Sequence, residues 1–395
     1  MHKKIYNVIK EQYLQKKGHL SILWYPKIST QEDLNREISR ACWYLNPISH
    51  KLENIHFLVD LSVNIEDFQV PIYADTSIQS IYINLYSKFS FNSKKFKVYD
   101  VVFNWKNIYE GKRHFQKKFF NIDFKLNQFE ANHMLTLSKL LLEKKERKEN
   151  KKKLISHLTL LKQEKYNDVY LIGSGPTLDV SKMKHDSLII ICNSVVKDIE
   201  LLKKISPKII VATDAVFHSG YSKYAASFRK ALILAFDTFS ELYFYVPIRD
   251  YNVYISNLPK VYKKRIIAIN TSNKKKYNFD ILKKSYIRST SNVLTFFMLP
   301  LAGTLCKNIT LTGFDGKEKS DKDIFWRYNS KTQFHESMKY TVMAHAAFYK
   351  VDYDLYYKNH CNELSEMIQK MRKEEINFCY SGDTNISVLQ LMRQV

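Results

Sequence analysis

Short runs of apolar, β-branched and aromatic residues alternate with stretches of helical spacing along most of the chain. Residues 20–25, 55–61, 81–85 and 97–103 read as strands and residues 30–44 as a helix, which predicts a small α/β domain over residues 1–128. Residues 129–166 follow with a leucine-rich start and a mixed-sign charged run at 143–153. This predicts a charged helical linker, either a solvated connector or a basic helix lying on anionic lipid.

From residue 167 the pattern changes to short, mostly apolar runs of buried-strand type. Residues 168–172, 188–192, 209–212, 231–235, 265–269 and 308–312 read as buried strands, with helices at 196–204 and 293–305 between them. Strands alternating with helices predict an α/β fold with a doubly wound, mostly parallel, Rossmann-like sheet over 167–395. Residues 316–360 are rich in Tyr, Trp, Arg and His and read as a lid over the sheet's ligand edge.

Composition narrows the class. The 395 residues are 45% hydrophobic and 26% charged, values of a folded globular chain rather than a disordered one. Lys plus Arg is 62 against 39 Asp plus Glu, a formal charge of +23. Such a charge raises the question of polyanions, although a Lys-, Asn- and Ile-rich composition with only 9 glycines reads equally as background. The five cysteines are odd in number and include no C-x-x-C pair, which suits a reducing compartment. The first twenty residues lack the apolar core of a secretory signal, and the longest apolar stretch, 293–305, is too short to span a bilayer and contains Pro300. The expectation is a cytoplasmic protein that can touch the inner membrane peripherally.

Ligands of open parallel sheets bind beyond the carboxyl ends of the strands, so the residues after each strand are the candidates. After the first strand of the second unit come Gly173, Ser174, Gly175, Pro176 and Thr177, a tight loop whose amides and following helix start suit a phosphate. Asn193 and Ser194 follow the second strand, where a carboxamide can read a base or ribose edge. Asp214 follows the third, either as a ribose or metal ligand or as a helix cap. Gly313 and Asp315 follow the strand at 308–312, and Ser289, Thr290 and Ser291 with Arg288 and Asn292 open the helix at 293, where anions are favoured. His335 is not followed by an H-E-x-x-H pattern and no Walker A loop is present, so no metal site is expected.

The order of Gly173-Ser-Gly-Pro-Thr-Leu, Cys192-Asn-Ser, Arg288-Ser-Thr-Ser and Leu311-Thr-Gly-Phe-Asp, followed by a His-bearing lid, resembles bacterial sialyltransferases of glycosyltransferase family 42. It is also similar to the related motility accessory factor and pterin-pyrophosphokinase-like family, which shares the G-x-G-P-S/T-L opening. The resemblance runs from residue 167 to 395 and leaves the first domain unexplained. It implies a metal-independent, inverting transfer from a CMP-activated sialic-acid-like or other ulosonic acid, with no cofactor, to a glycan, glycolipid or glycoprotein acceptor. By that resemblance the glycine loop, Asn193 and Ser289–Ser291 hold the nucleotide donor. A lid histidine, His345 or His335, acts as base, and Tyr328 or Tyr349 with Arg327 serves the leaving phosphate. Asn292 stands where the family pattern has a glycine. Two other functions fit the sequence: an ATP- and Mg²⁺-dependent pterin pyrophosphokinase-like enzyme using Asp214 with Asp315, and a non-catalytic polyanion-binding protein.

Overall fold

The computed structural model describes residues 19–75, 83–86, 99–104, 119–121, 137–138, 140–318, 328–344 and 351–392. Among these residues the chain is α/β and built on two parallel sheets. The first has five strands, β1 (Leu20–Ile28), β2 (Leu52–Val59), β3 (Ile83–Tyr86), β4 (Val101–Asn104) and β5 (Phe119–Asn121), in the order β3-β2-β1-β4-β5. Helix α1 (Gln31–Leu45) links β1 to β2 and buries Leu34, Ile38, Ala41 and Leu45 in the cluster that holds Ile22 and Trp24. Leu23 and Tyr25 point to the opposite face and pack with Leu58, Tyr99 and Val102, as the two-residue strand period requires.

The second sheet has seven strands in the order β10-β9-β8-β7-β6-β13-β14. They are β6 (Asp168–Ile172), β7 (Leu188–Cys192), β8 (Ile209–Val211), β9 (Tyr243–Pro247), β10 (Ile266–Ile269), β13 (Asn308–Thr312) and β14 (Asn377–Ser381), and every pairing is parallel. A two-stranded parallel pair, β11 (Thr271–Ser272) and β12 (Ile287–Arg288), precedes the central helix. The chain runs outward from β6 to β10 and then crosses back to β13 on the other side of β6. The switch point therefore lies between β6 and β13, whose last residues Ile172 and Thr312 are in register.

Of the six strand readings from residue 167 onward, five agree with the structure and one does not. Residues 231–235 lie inside α5 (Lys223–Thr238), and the missing strand is β9. The apolar run there serves a helix as well as a strand, and Ser222, which accepts from the Ala225 N–H at 3.2 Å, caps it. The charged segment is a helix, α2 (Lys144–Gln163), but not a solvated connector. It buries Asn150, Leu154, His157, Leu158 and Leu161, and its leucines join the core on one face of the second sheet. Its His157 stacks on Tyr243 at 3.7 Å and shares a hydrogen bond with the Tyr245 hydroxyl.

The remaining helices are α3 (Ile199–Ile205), α4 (Ala215–Ser219), α5, α6 (Tyr251–Asn257), α7 (Leu299–Leu305), α8 (His335–Ala344), α9 (Tyr353–Arg372) and α10 (Ser387–Gln390). The reading of one helix over 293–305 holds, with a widened turn at Leu294–Met298 in which the Leu299 N–H reaches back to the Leu294 carbonyl. Such a turn accommodates Pro300, which has no N–H to give to the ordinary ladder. Within 316–360, read as a loop-rich lid, residues 335–344 form α8 and residues 353–360 the first turns of α9.

The two units are fastened together. Residue 74 bridges to Ser222, Lys223 N–H donates to Tyr73, and the buried Arg229 and Asp75 form an ion pair. Arg40 of α1 and Tyr221 both donate to the Ala344 carbonyl at the end of α8. No helix among the described residues is long and apolar enough to cross a membrane.

Candidate functional site

The loops after β6 and β13 are fastened to one another at the switch point. Gly173 N–H donates to Thr312 O and Gly175 N–H to Gly313 O, both at 2.9 Å. A Cβ on Gly173 would stand 2.2 Å from Gly313 O, and one on Gly175 would stand 2.4 Å from Asp315 Oδ1. Gly313 itself adopts φ +71°, which disfavours any side chain. Asp315 is buried and accepts from Thr177 N–H at 2.9 Å and Thr177 Oγ1 at 2.6 Å. The glycines thus allow two backbones to approach each other. No helix follows them, and Pro176 sits in a turn. The expected phosphate cradle at a helix start is therefore absent, because the amides of Gly173, Gly175 and Thr177 already have protein acceptors.

Ser174 connects this junction to the segment before α8. Its carbonyl accepts from Asn329 N–H and from Thr332 Oγ1, each at 2.9 Å, while Lys197 donates to the carbonyls of Ser330 and Gln333. The described part of the lid is thereby pinned to the glycine loop. Thr332→Val removes a hydroxyl that is 1% exposed and hydrogen-bonded, so a loss of about 1–2 kcal/mol is expected in a denaturant titration. An unchanged midpoint would show that the Asn329 contact alone pins the segment.

Beyond β7, Asn193 takes φ +48° and its Oδ1 is buried with no hydrogen-bond partner. Ser194 is buried beside the Tyr224 hydroxyl, which also donates to Gln333 Oε1 at 2.8 Å. Tyr328 lies in electrostatic range of Tyr356, Tyr353, Cys192 and Tyr224, and burial among them raises its phenol far above the usual range. Tyr356 is likewise pushed up, to about 12, mainly by burial. Both residues are half-buried, and Tyr328 lies near Cys192, the last residue of β7, at the carboxyl edge of the sheet. His335 is exposed at the start of α8, with its ring 6.5 Å from that of Tyr328. Asp214 is exposed after β8, interacts with Tyr356, and caps α4 by accepting from Phe217 N–H at 3.2 Å. It has the capping role, and it lies at the same edge of the sheet as Tyr356.

Ser289–Ser291 differ from expectation. Ser291 N–H and Oγ face Glu363 Oε2 at 3.4 and 3.0 Å, so a carboxylate of the chain itself occupies this anion position. Thr290 Oγ1 pairs with Thr295 Oγ1 at 2.9 Å, Ser289 N–H donates to Ser272 O, and Ser291 O accepts from the Tyr356 hydroxyl at 2.9 Å. Arg288 lies over the Tyr277 ring at 4.4 Å.

The structure thus brings Asn193, Ser194, Asp214, Tyr328 and His335 to one side of the edge, and Gly173–Thr177 with Gly313 and Asp315 to a supporting junction. His345, Tyr349 and Arg327 lie outside the described residues. The Asp214–Asp315 pair is not formed for a shared ion. Three strand spacings separate β8 from β13, about 14 Å, whereas Mg²⁺ requires its ligands at about 2.1 Å. Among the described residues no group of three or more His, Cys, Asp or Glu is placed to hold a metal.

Sequence reading missed Tyr356 and Glu363, which reach Ser291, and the buried His360 behind them on α9. Their signal was the helical spacing of 353, 356, 357, 360 and 364, which places Tyr356 and His360 one turn apart on α9. His360 is 2% exposed, and burial pushes its imidazole down to about 4.

No family model matches the chain, and no curated protein matches it. Among solved structures, the sialyltransferase CstII from Campylobacter jejuni in complex with a substrate analogue, CMP-3FNeuAc, is 10% identical, with 56% of this chain and 84% of that chain covered at a TM-score of 0.29. A CST-II variant in complex with CMP is 13% identical, covering 57% and 85% at a TM-score of 0.31. CST-II with a trisaccharide acceptor and CMP is 15% identical, covering 56% and 84% at 0.26.

Proposed function

We propose that this protein is a glycosyltransferase that moves a sialic-acid-like or related ulosonic acid from a CMP-activated donor to a glycan, glycolipid or glycoprotein, without a metal ion. The observation that carries the reading is a grouping at the carboxyl edge of the parallel sheet: Tyr328 lies near Cys192, Tyr356 and the His335 ring, and Asn193, next after Cys192, has a buried Oδ1 with no hydrogen-bond partner.

The chemistry follows from those groups. An acceptor oxygen without a donor suits the amino edge of cytosine or a ribose hydroxyl, not a phosphate. The Tyr328 phenol, held above its usual pKa, stays protonated at neutral pH and can donate a hydrogen bond to a phosphate as it leaves, and Tyr356 can do so by giving up its bond to the Ser291 carbonyl. Departure of CMP from an α-keto acid sugar leaves an oxocarbenium-like centre, and the attacking hydroxyl must lose a proton. His335 at the rim, or His345, is the candidate base. The net charge of +23 would draw the protein to acidic or anionic-lipid-linked acceptors. The Mg²⁺-dependent phosphotransferase is disfavoured by the separation of Asp214 from Asp315.

The test is release of CMP from CMP-activated sialic acid in EDTA, with Tyr328→Phe and Tyr356→Phe compared with the wild-type chain. Each variant is expected to lose about 10²-fold in kcat with the fold intact, the scale of one removed oxyanion donor. Turnover that appears only with ATP and Mg²⁺, or CMP release indifferent to both substitutions, would remove this reading.

A further inference from the structure

The surface of α2 concentrates positive charge that the transfer chemistry above leaves unused. Asn150, Leu154, His157 and Leu161 turn inward, so at about 100° per residue Lys145, Lys148 and Lys152 share the opposite, outward face, and all three are exposed. Lys144, Arg147 and Lys151 beside them are exposed as well, and the only acids within 144–152 are Glu146 and Glu149. The single helical turn at Lys260–Arg265 adjoins this face. Lys153 Nζ donates to the Lys263 and Ile266 carbonyls, each at 3.0 Å, and Lys263 Nζ stands 3.4 Å from Glu146 Oε1. Lys260, Lys263 and Lys264 are exposed on that turn, and Val261 among them is 63% exposed, while Tyr262 is turned inward onto Phe236 and Asp237.

Glu146 is half-buried and taken up by Lys263, which leaves Glu149 as the exposed acid of the stretch. The outward lysines therefore present a positive surface, and their long stems let the ammonium groups settle on one charged plane. Val261 decides what that plane is. An exposed branched apolar side chain flanked by lysines gains by entering the acyl boundary of a bilayer, and gains nothing beside the phosphates of a nucleic acid. Among the described residues of the patch none is an exposed aromatic on which a base could stack.

We propose that the outward face of α2 and the Lys260–Arg265 turn form a docking surface for an anionic lipid bilayer, with the lysines over the headgroups and Val261 entering the acyl boundary. The proposal does not rest on the glycosyltransferase reading. Where that reading holds, docking brings the enzyme to the surface that carries lipid-linked acceptors.

The experiment is co-sedimentation of the full-length chain with vesicles of phosphatidylcholine containing phosphatidylglycerol, and of phosphatidylcholine alone, at physiological salt, beside a titration of labelled duplex DNA as the rival polyanion. Binding is expected to the anionic vesicles only, and to fall as salt is raised. Each lysine near such a surface contributes about fivefold to partitioning, so the combined variant Lys145→Glu, Lys148→Glu and Lys152→Glu should bind at least about 100-fold more weakly. Val261→Ser should lose about fivefold. These four side chains are exposed, so the fold is expected to survive, with circular dichroism as the check. The control combines Lys182→Glu, Lys204→Glu and Lys230→Glu. It makes the same change in net charge at exposed positions on the side of the sheet that α3 and α5 cover, opposite α2, and should keep most of the binding. No binding to anionic vesicles, or an equal loss in both combined variants, would overturn the proposal. So would DNA binding that is lost in the α2 variant while vesicles go unbound, which would make the patch a nucleic-acid surface. Vesicle binding through α2 in a chain whose melting temperature ignores CMP would keep the docking surface and remove the transferase reading.

Discussion

Gly173→Ala is expected to destabilise the protein by at least about 3 kcal/mol. The new methyl would meet the Gly313 carbonyl oxygen at 2.2 Å, and that oxygen is fixed because it accepts from Gly175 N–H. Backbone on both sides leaves no flexible side chain to swing away. The β6 and β13 loops would have to separate, and the Thr177–Asp315 bonds would go with them. In thermal unfolding this corresponds to a fall in Tm of about 6–12 °C. Ser174→Ala is the control. It keeps the carbonyl that Asn329 and Thr332 use and should shift Tm little. Equal Tm values for Gly173→Ala and wild type would show that the two loops are not locked together.

Asp250→Asn is expected to make stability less dependent on pH. Burial, opposed by Arg249 and assisted by Asp214, raises the Asp250 carboxyl from its ordinary value to about 7. The folded state therefore holds a proton that the unfolded state has already lost between about pH 4 and 7. Stability falls as pH rises through that window and levels off above it, by up to about 4 kcal/mol for a shift of about three units. Asn carries no such proton. The variant should match wild type near pH 4 and exceed it at pH 8 in urea titrations. Parallel stability curves across pH 4–8 would show that the carboxyl is already satisfied in the folded chain.

The fold was legible where burial is total. Asp168–Ile172, Leu188–Cys192 and Asn308–Thr312 are apolar runs bounded by polar residues, and their ends coincide with the strands because both faces of the sheet are covered. The run at 231–235 was ambiguous because an apolar stretch does not reveal its period, although Ser222 and the 16-residue span of α5 decide for helix. In α9 the abundance of aromatic and His residues obscured a regular pattern whose inner face is Leu364, Met367, Ile368 and Met371, and whose start is capped by Asp352.

The site was legible only in part, for a related reason. Loop positions after strands follow from topology, so Asn193, Asp214 and the glycine loop could be placed beyond the strand ends from the sequence. What each does depends on neighbours far along the chain. Gly173 and Gly175 look like a ligand loop, yet Thr312, Gly313 and Asp315 take up their space and hydrogen bonds. Ser291 looks like an open anion site until Glu363, 72 residues later, fills it. Tyr356 reaches the Ser291 carbonyl because α9 returns toward residues 289–291, and no local spacing encodes that return.

The central claim is a metal-free CMP site under Tyr328 and Tyr356. Thermal unfolding of the purified chain with CMP, CDP, UDP, GDP and ATP, each with and without Mg²⁺, tests it most directly, because a ligand that binds only the native state raises Tm by mass action. The account predicts a rise with CMP in EDTA that is reduced in Tyr356→Phe. A rise with ATP and Mg²⁺ alone, or silence from every nucleotide, would contradict it.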